Sequence, residues 1–112
     1  MATLGAELPL TDYETVAASQ TDQVLGPNGH SGDRIARLHI VPATTSPGAV
    51  SIKDGSGSAI TVFTGGAASV ADLTPITVDF GPDGIRASHS ANTGWKVTTG
   101  ANVSLIATGS YT

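Results

Sequence analysis

The chain is expected to be all-β, an antiparallel β-sandwich or jelly-roll-like fold of about eight short strands with a short N-terminal arm. Three observations lead there. Residues 49–63, AVSIKDGSGSAITVF, hold two period-two runs around a Gly/Ser/Asp break, the pattern of a β-hairpin whose glycines supply positive φ. Further short alternating runs follow, with turn signals every ~8–12 residues, as in sandwiches and jelly rolls. Charged residues make up only 12% of the chain against a usual share near ~25%, and Leu, Glu and Lys are few, so a helical bundle is disfavoured.

Taken in order, residues 1–12 form the arm and residues 13–112 a single sandwich domain. Residues 1–10 are short and mixed and end at Pro9-Leu10, so they read as an arm rather than core. Thr11-Asp12-Tyr13-Glu14 has the spacing of a helix capping box. The β-branched Thr15 and Val16 weaken a helix, so an extended first strand is expected over 13–19. A short second strand over 20–25 leads into Gly26-Pro27-Asn28-Gly29-His30-Ser31-Gly32, an unambiguous loop.

Residues 33–41, DRIARLHIV, form the longest strand candidate. Alternation puts Ala36, Leu38 and Ile40 on one face with Arg34, and Ile35, Arg37, His39 and Val41 on the other. Apolar residues on both faces imply a central strand, or one whose outer face meets another subunit. Pro42 ends it. After the 49–63 hairpin, Gly65-Gly66 opens a small-residue loop and Ile76, Val78 and Phe80 alternate with Thr77 and Asp79. Gly81-Pro82-Asp83-Gly84 turns the chain into a short strand over 85–88. Trp95, Val97 and Thr99 then alternate with Lys96 and Thr98, and the last strand covers 103–107. The pair Trp95/Leu105 reads as a second hairpin.

At 112 residues the chain can bury about two-thirds of its unfolded surface, enough for one core. Net charge is −4, which disfavours nucleic-acid binding. There is no cysteine, hence no disulfide and no thiolate metal site. No apolar run approaches membrane-spanning length, and none follows a positively charged start, so neither a membrane partner nor secretion is expected.

No motif points to chemistry. His30, His39 and His89 lack the local spacing of a metal site, and neither metal nor cofactor is expected. Gly29-His30-Ser31-Gly32-Asp33 fails the G-x-S-x-G spacing at Asp33, and no strand-to-helix elbow is expected there. Asp54-Gly55-Ser56-Gly57-Ser58 offers one acid where a calcium loop needs several. Asp79-Phe80-Gly81 has none of the other parts of a kinase. No nucleophile–base pair can be named, so no enzymatic activity is expected. Trp95, the only tryptophan, reads as a core or interface anchor, or alternatively as a sugar-stacking platform.

Two segments together, 19–26 (SQTDQVLG) with the loop that follows and 94–101 (GWKVTTGA), joined by 50–55 (VSIKDG), resemble small β-rich structural proteins of tailed bacteriophages, among them capsid decoration or cement proteins. The resemblance covers the chain from residue 19 onward and is one of pattern. It implies a virion protein on the outer surface of the capsid, made in the host cytoplasm. The implied partners are the major capsid protein and further copies of itself, as a trimer or dimer. Interface candidates are Leu4, Leu8, Leu10, Ile35, Arg37 and Trp95. Ile106 beside Leu105 adds apolar surface beyond what one small core needs. The alternative is a tail or fibre adhesin module that binds carbohydrate.

Overall fold

A computed structural model describes residues 10–89 and 93–112. Its described residues contain strands and turns and no helix. The strands are β1 (Asp12–Val16), β2 (Gln23–Val24), β3 (Arg34–Pro42), β4 (Val50–Asp54), β5 (Ile60–Phe63), β6 (Ile76–Asp79), β7 (Ile85–Arg86), β8 (Trp95–Thr99) and β9 (Val103–Ser110).

Two antiparallel sheets form. One runs β1-β9-β3-β6, with β7 also on β3, and the other runs β2-β8-β4-β5. β6 pairs with residues 37–40 of β3 and β7 with residues 34–35, so the two are successive pieces of one edge strand interrupted at 80–84. Counting them once leaves eight strand positions. Every connection then crosses between the sheets except the β4–β5 hairpin. That is the jelly roll: two four-position sheets wound together so that chain neighbours face one another across the core.

The expected 49–63 hairpin is present, with Val50 opposite Phe63 and Ile52 opposite Ile60. The second hairpin is not. β8 and β9 lie in different sheets, and residues 100–102 carry the chain over the edge of the sandwich. Asn102 takes φ 62° there, and Ala43 N donates to Asn102 O at 2.9 Å. The first strand also stops early, at Val16. The buried Thr99 hydroxyl donates to Ala17 O at 2.6 Å and accepts from Gln20 N at 3.0 Å, which turns the chain toward the opposite sheet.

β3 is central, flanked by β9 and by β6/β7, but its faces are not those of simple alternation. The register slips between Ile35 and Arg37, so Ala36 is an extra residue in a β-bulge. Its carbonyl accepts from Phe80 N at 2.9 Å. The bulge turns Ile35 inward beside Leu38 and Ile40, all three with no exposed surface, and leaves Arg37, His39 and Val41 outside. Gly109 sits opposite Ile35 on β9. A Cβ there would collide with Arg34 O and lie 3.1 Å from the Tyr111 ring, so the close approach requires glycine.

The core joins Val16, Leu25, Ile35, Leu38, Ile40, Val50, Ile52, Trp95, Val97, Val103 and Leu105. Trp95 ties the layers together: from β8 its indole N–H donates to Ile85 O of β7, in the other sheet, at 2.9 Å. The β1/β2 side is closed by polar contacts. Gln23 Nε2 donates to Thr15 O at 3.0 Å, and Gly26 N to Glu14 Oε1 at 3.2 Å. The β5/β6 side is looser, with Val62, Phe63, Ile76, Val78 and Phe80 only partly buried against the core.

Candidate interaction surface

The outer face of the β1-β9-β3-β6 sheet can be laid out row by row from its register. Tyr13, Thr108, Arg37 and Asp79 stand side by side, and Thr15, Ile106, His39 and Thr77 form the next row. Ser104 and Val41 lie beyond. At the bulged end, Ser110, Arg34 and Arg86 continue the face. Period-two alternation sets these positions, most clearly at Ile106, which lies between the buried Leu105 and Ala107.

Three apolar side chains break an otherwise polar surface: Tyr13 at 70% exposure, Ile106 at 39% and Val41 at 36%. Thr15 and His39 flank Ile106 within this layout. All three arginines of this acidic chain also lie on the face. Arg37 pairs with Asp79 at 3.3 Å in an exposed contact that contributes little to stability. Arg34 donates to Asp83 O at 3.2 Å. Arg86 has no carboxylate partner among the described residues. Gly81 N, donating at 2.9 Å, and then the Arg37 charge hold the Asp79 carboxyl below the usual carboxylate range. Asp79 therefore stays ionised beside Arg37 in mild acid.

The two lysines lie on the opposite sheet, where Lys53 and Lys96 stand directly across from one another and Asp22 approaches Lys53 at 3.6 Å. The molecule thus presents an arginine face and a lysine face. Its carboxylates are concentrated in the connections and at strand ends.

Beside Tyr13 a cleft of about 400 Å³ is lined by Thr11, Asp12, Glu14, Gly26, Pro27 and Tyr111. Its carboxylates are engaged in holding the chain. Asp12 accepts from Tyr111 N at 2.8 Å and Glu14 from Gly26 N. The buried Asp33 nearby accepts from His30 N, Thr112 N and the Thr112 hydroxyl, pinning the C-terminus. The Tyr111 hydroxyl is buried with no hydrogen-bond partner. Burial, and then the charges of Glu14, Asp12 and Asp33, push its pKa well above that of free tyrosine. Among the described residues, no group of three or more His, Asp or Glu is arranged to hold a metal ion.

Of the interface candidates read from sequence, Arg37 is exposed on the sheet face and Leu10 is half-buried at the start of the domain. Ile35 is corrected, and Trp95 takes the core rather than the interface of its two expected anchoring roles. The bulge turns Ile35 into the core, and Trp95, 3% exposed, packs between the sheets with its N–H satisfied. Neither can meet a partner from these positions, and Trp95 cannot stack a sugar. Leu4 and Leu8 lie outside the described residues. Sequence reading did not single out Tyr13, Arg34 or Arg86 as contact residues. The signal for Tyr13 was a large aromatic alternating with carboxylates on a strand.

No protein-family model matches the chain. Nor does a curated protein or a solved structure match it.

Proposed function

We propose that this protein is a structural component of a tailed-phage virion that binds the outside of the assembled capsid and stabilises it. The observation that carries the reading is the sheet face bearing Tyr13, Ile106 and Val41 with the three arginines. Tyr and Arg are the residue types enriched at energetically dominant interface positions, and the sheet fixes their backbone so that binding has only side chains to order. A protein that binds only the assembled shell stabilises that shell by mass action and requires no chemistry of its own. The sequence resemblance to decoration proteins supplies the identity of the shell.

The test is co-sedimentation with tailed-phage heads stripped of outer accessory proteins, taken from a phage whose genome is found to encode this chain. Saturable binding is expected, with stripped heads disrupting at lower temperature than rebound ones. Tyr13→Ala should weaken binding by about 2 kcal/mol, roughly 30-fold. Absence of binding to such heads removes the reading. The adhesin alternative depended on Trp95 as a platform, and no other observation favours it.

A further inference from the structure

We propose that two copies of the chain join through β5, edge against edge and antiparallel about a two-fold axis, so that two β2-β8-β4-β5 sheets become one continuous sheet. This goes beyond the proposed function and does not depend on capsid binding. β5 is the last strand of its sheet. Among the described residues its backbone makes no hydrogen bond outside its pairing with β4. An edge of this kind offers a ready row of donors and acceptors to another strand, and proteins that must stay single blunt it with charge or proline. β5 has neither: no charged side chain or proline occurs from residue 55 to residue 71. Its one irregularity, the extra residue at Val62, leaves Ile60 and Thr61 in regular pairing with β4.

The same strand is incompletely covered. Ile60 faces the core side opposite Ile52 yet remains 50% exposed, and Val62 and Phe63 are only half-buried. Charge decides the occupant. A two-fold axis brings each strand against its own copy, so the two carboxylates of β1, Asp12 and Glu14, would meet like charges. The β6/β7 edge is interrupted at 80–84, and β2 is two residues long. β5 is the unbroken edge with no charge to oppose its own copy, and an axis near Ile60 would bring the two half-exposed Ile60 side chains together.

The test uses the intact chain in solution. Sedimentation equilibrium should give a species of twice the 11.2 kDa chain mass, dissociating on dilution. Thr61 is exposed on the outer face of its sheet, so Thr61→Lys leaves the core untouched and should return the mass to that of one chain. Because the chain has no cysteine, a single introduced thiol can form a protein disulfide only with its own copy. Of Thr15→Cys, Thr61→Cys and Thr77→Cys, on the edge strands β1, β5 and β6, only Thr61→Cys should form a rapid disulfide dimer. A wild-type chain that stays single at all concentrations overturns the proposal. So does a dimer that survives Thr61→Lys or cross-links through β1 or β6. A dimer of the proposed form that ignores phage heads would leave this inference standing while removing the virion reading.

Discussion

Replacing Trp95 by Phe keeps an aromatic ring in the same place and removes what links the sheets. The indole N–H bond to Ile85 O, at 2.9 Å, is lost from the short strand β7. Ile85 is 42% exposed, so its carbonyl is not stranded away from water, and losing the bond costs about 0.5–1.5 kcal/mol. The smaller ring also leaves a void at a site 3% exposed, which adds roughly another 1 kcal/mol. The sum, about 1.5–2.5 kcal/mol, lowers Tm by roughly 6–10 °C at the ~4 °C per kcal/mol suited to a domain slightly over 100 residues. Thermal unfolding followed by far-UV circular dichroism reads this directly, and the wild-type tryptophan should emit as a buried indole. A variant melting within about a degree of wild type, or a wild-type emission typical of exposed indole, would show that Trp95 does not bridge the layers.

Gly109→Ala drives a methyl group against Arg34 O and the Tyr111 ring, and should cost about 1–3 kcal/mol in urea denaturation. An unchanged midpoint would mean that the bulge at Ala36 does not bring the strands so close. Tyr111→Phe removes a buried hydroxyl with no partner, so stability near neutral pH should hold or rise by up to about 1–3 kcal/mol. The pH dependence follows from the raised pKa of this group. Its contribution is fully present below the ordinary tyrosine pKa near ~10 and falls as pH rises above it, because the unfolded chain ionises there and the folded chain resists. Wild type should therefore lose stability in alkali more steeply than Tyr111→Phe, and identical alkaline profiles would contradict the assignment.

Local features of the fold were legible and long-range ones were not. The β4–β5 hairpin could be read because both arms and the turn lie within fifteen residues, although the bulge at Val62, which puts Phe63 opposite Val50, was hidden by the regular alternation of Ile60 and Val62. The same reasoning misread Trp95 and Leu105 as a hairpin. A three-residue turn is as compatible with crossing between sheets as with pairing inside one, and Ser19, Ala43 and Gly48, all distant in sequence, hold the crossing in place by donating to Gly100 O, Asn102 O and Ala101 O. The bulge at Ala36 left a trace in the sequence. Ile35 is out of phase with Leu38 and Ile40, and we read that break as a second apolar face, although a single inserted residue explains it equally well. The outer face of the β1-β9-β3-β6 sheet was half visible for the same reason. Arg37, His39, Val41 and Ile106 follow from alternation, whereas their assembly with Tyr13, Arg34 and Arg86 depends on β9 inserting between β1 and β3.

The claim on which the functional account turns is that the β1-β9-β3-β6 face exists to contact an assembled protein shell. Its most direct measurement is a difference map of stripped phage heads with and without added protein, at a resolution that orients each copy. The account predicts Tyr13, Ile106 and the arginines against the major capsid protein, with the lysine-bearing sheet turned away. Copies that bind through the opposite sheet, or heads that show no added density, would contradict it.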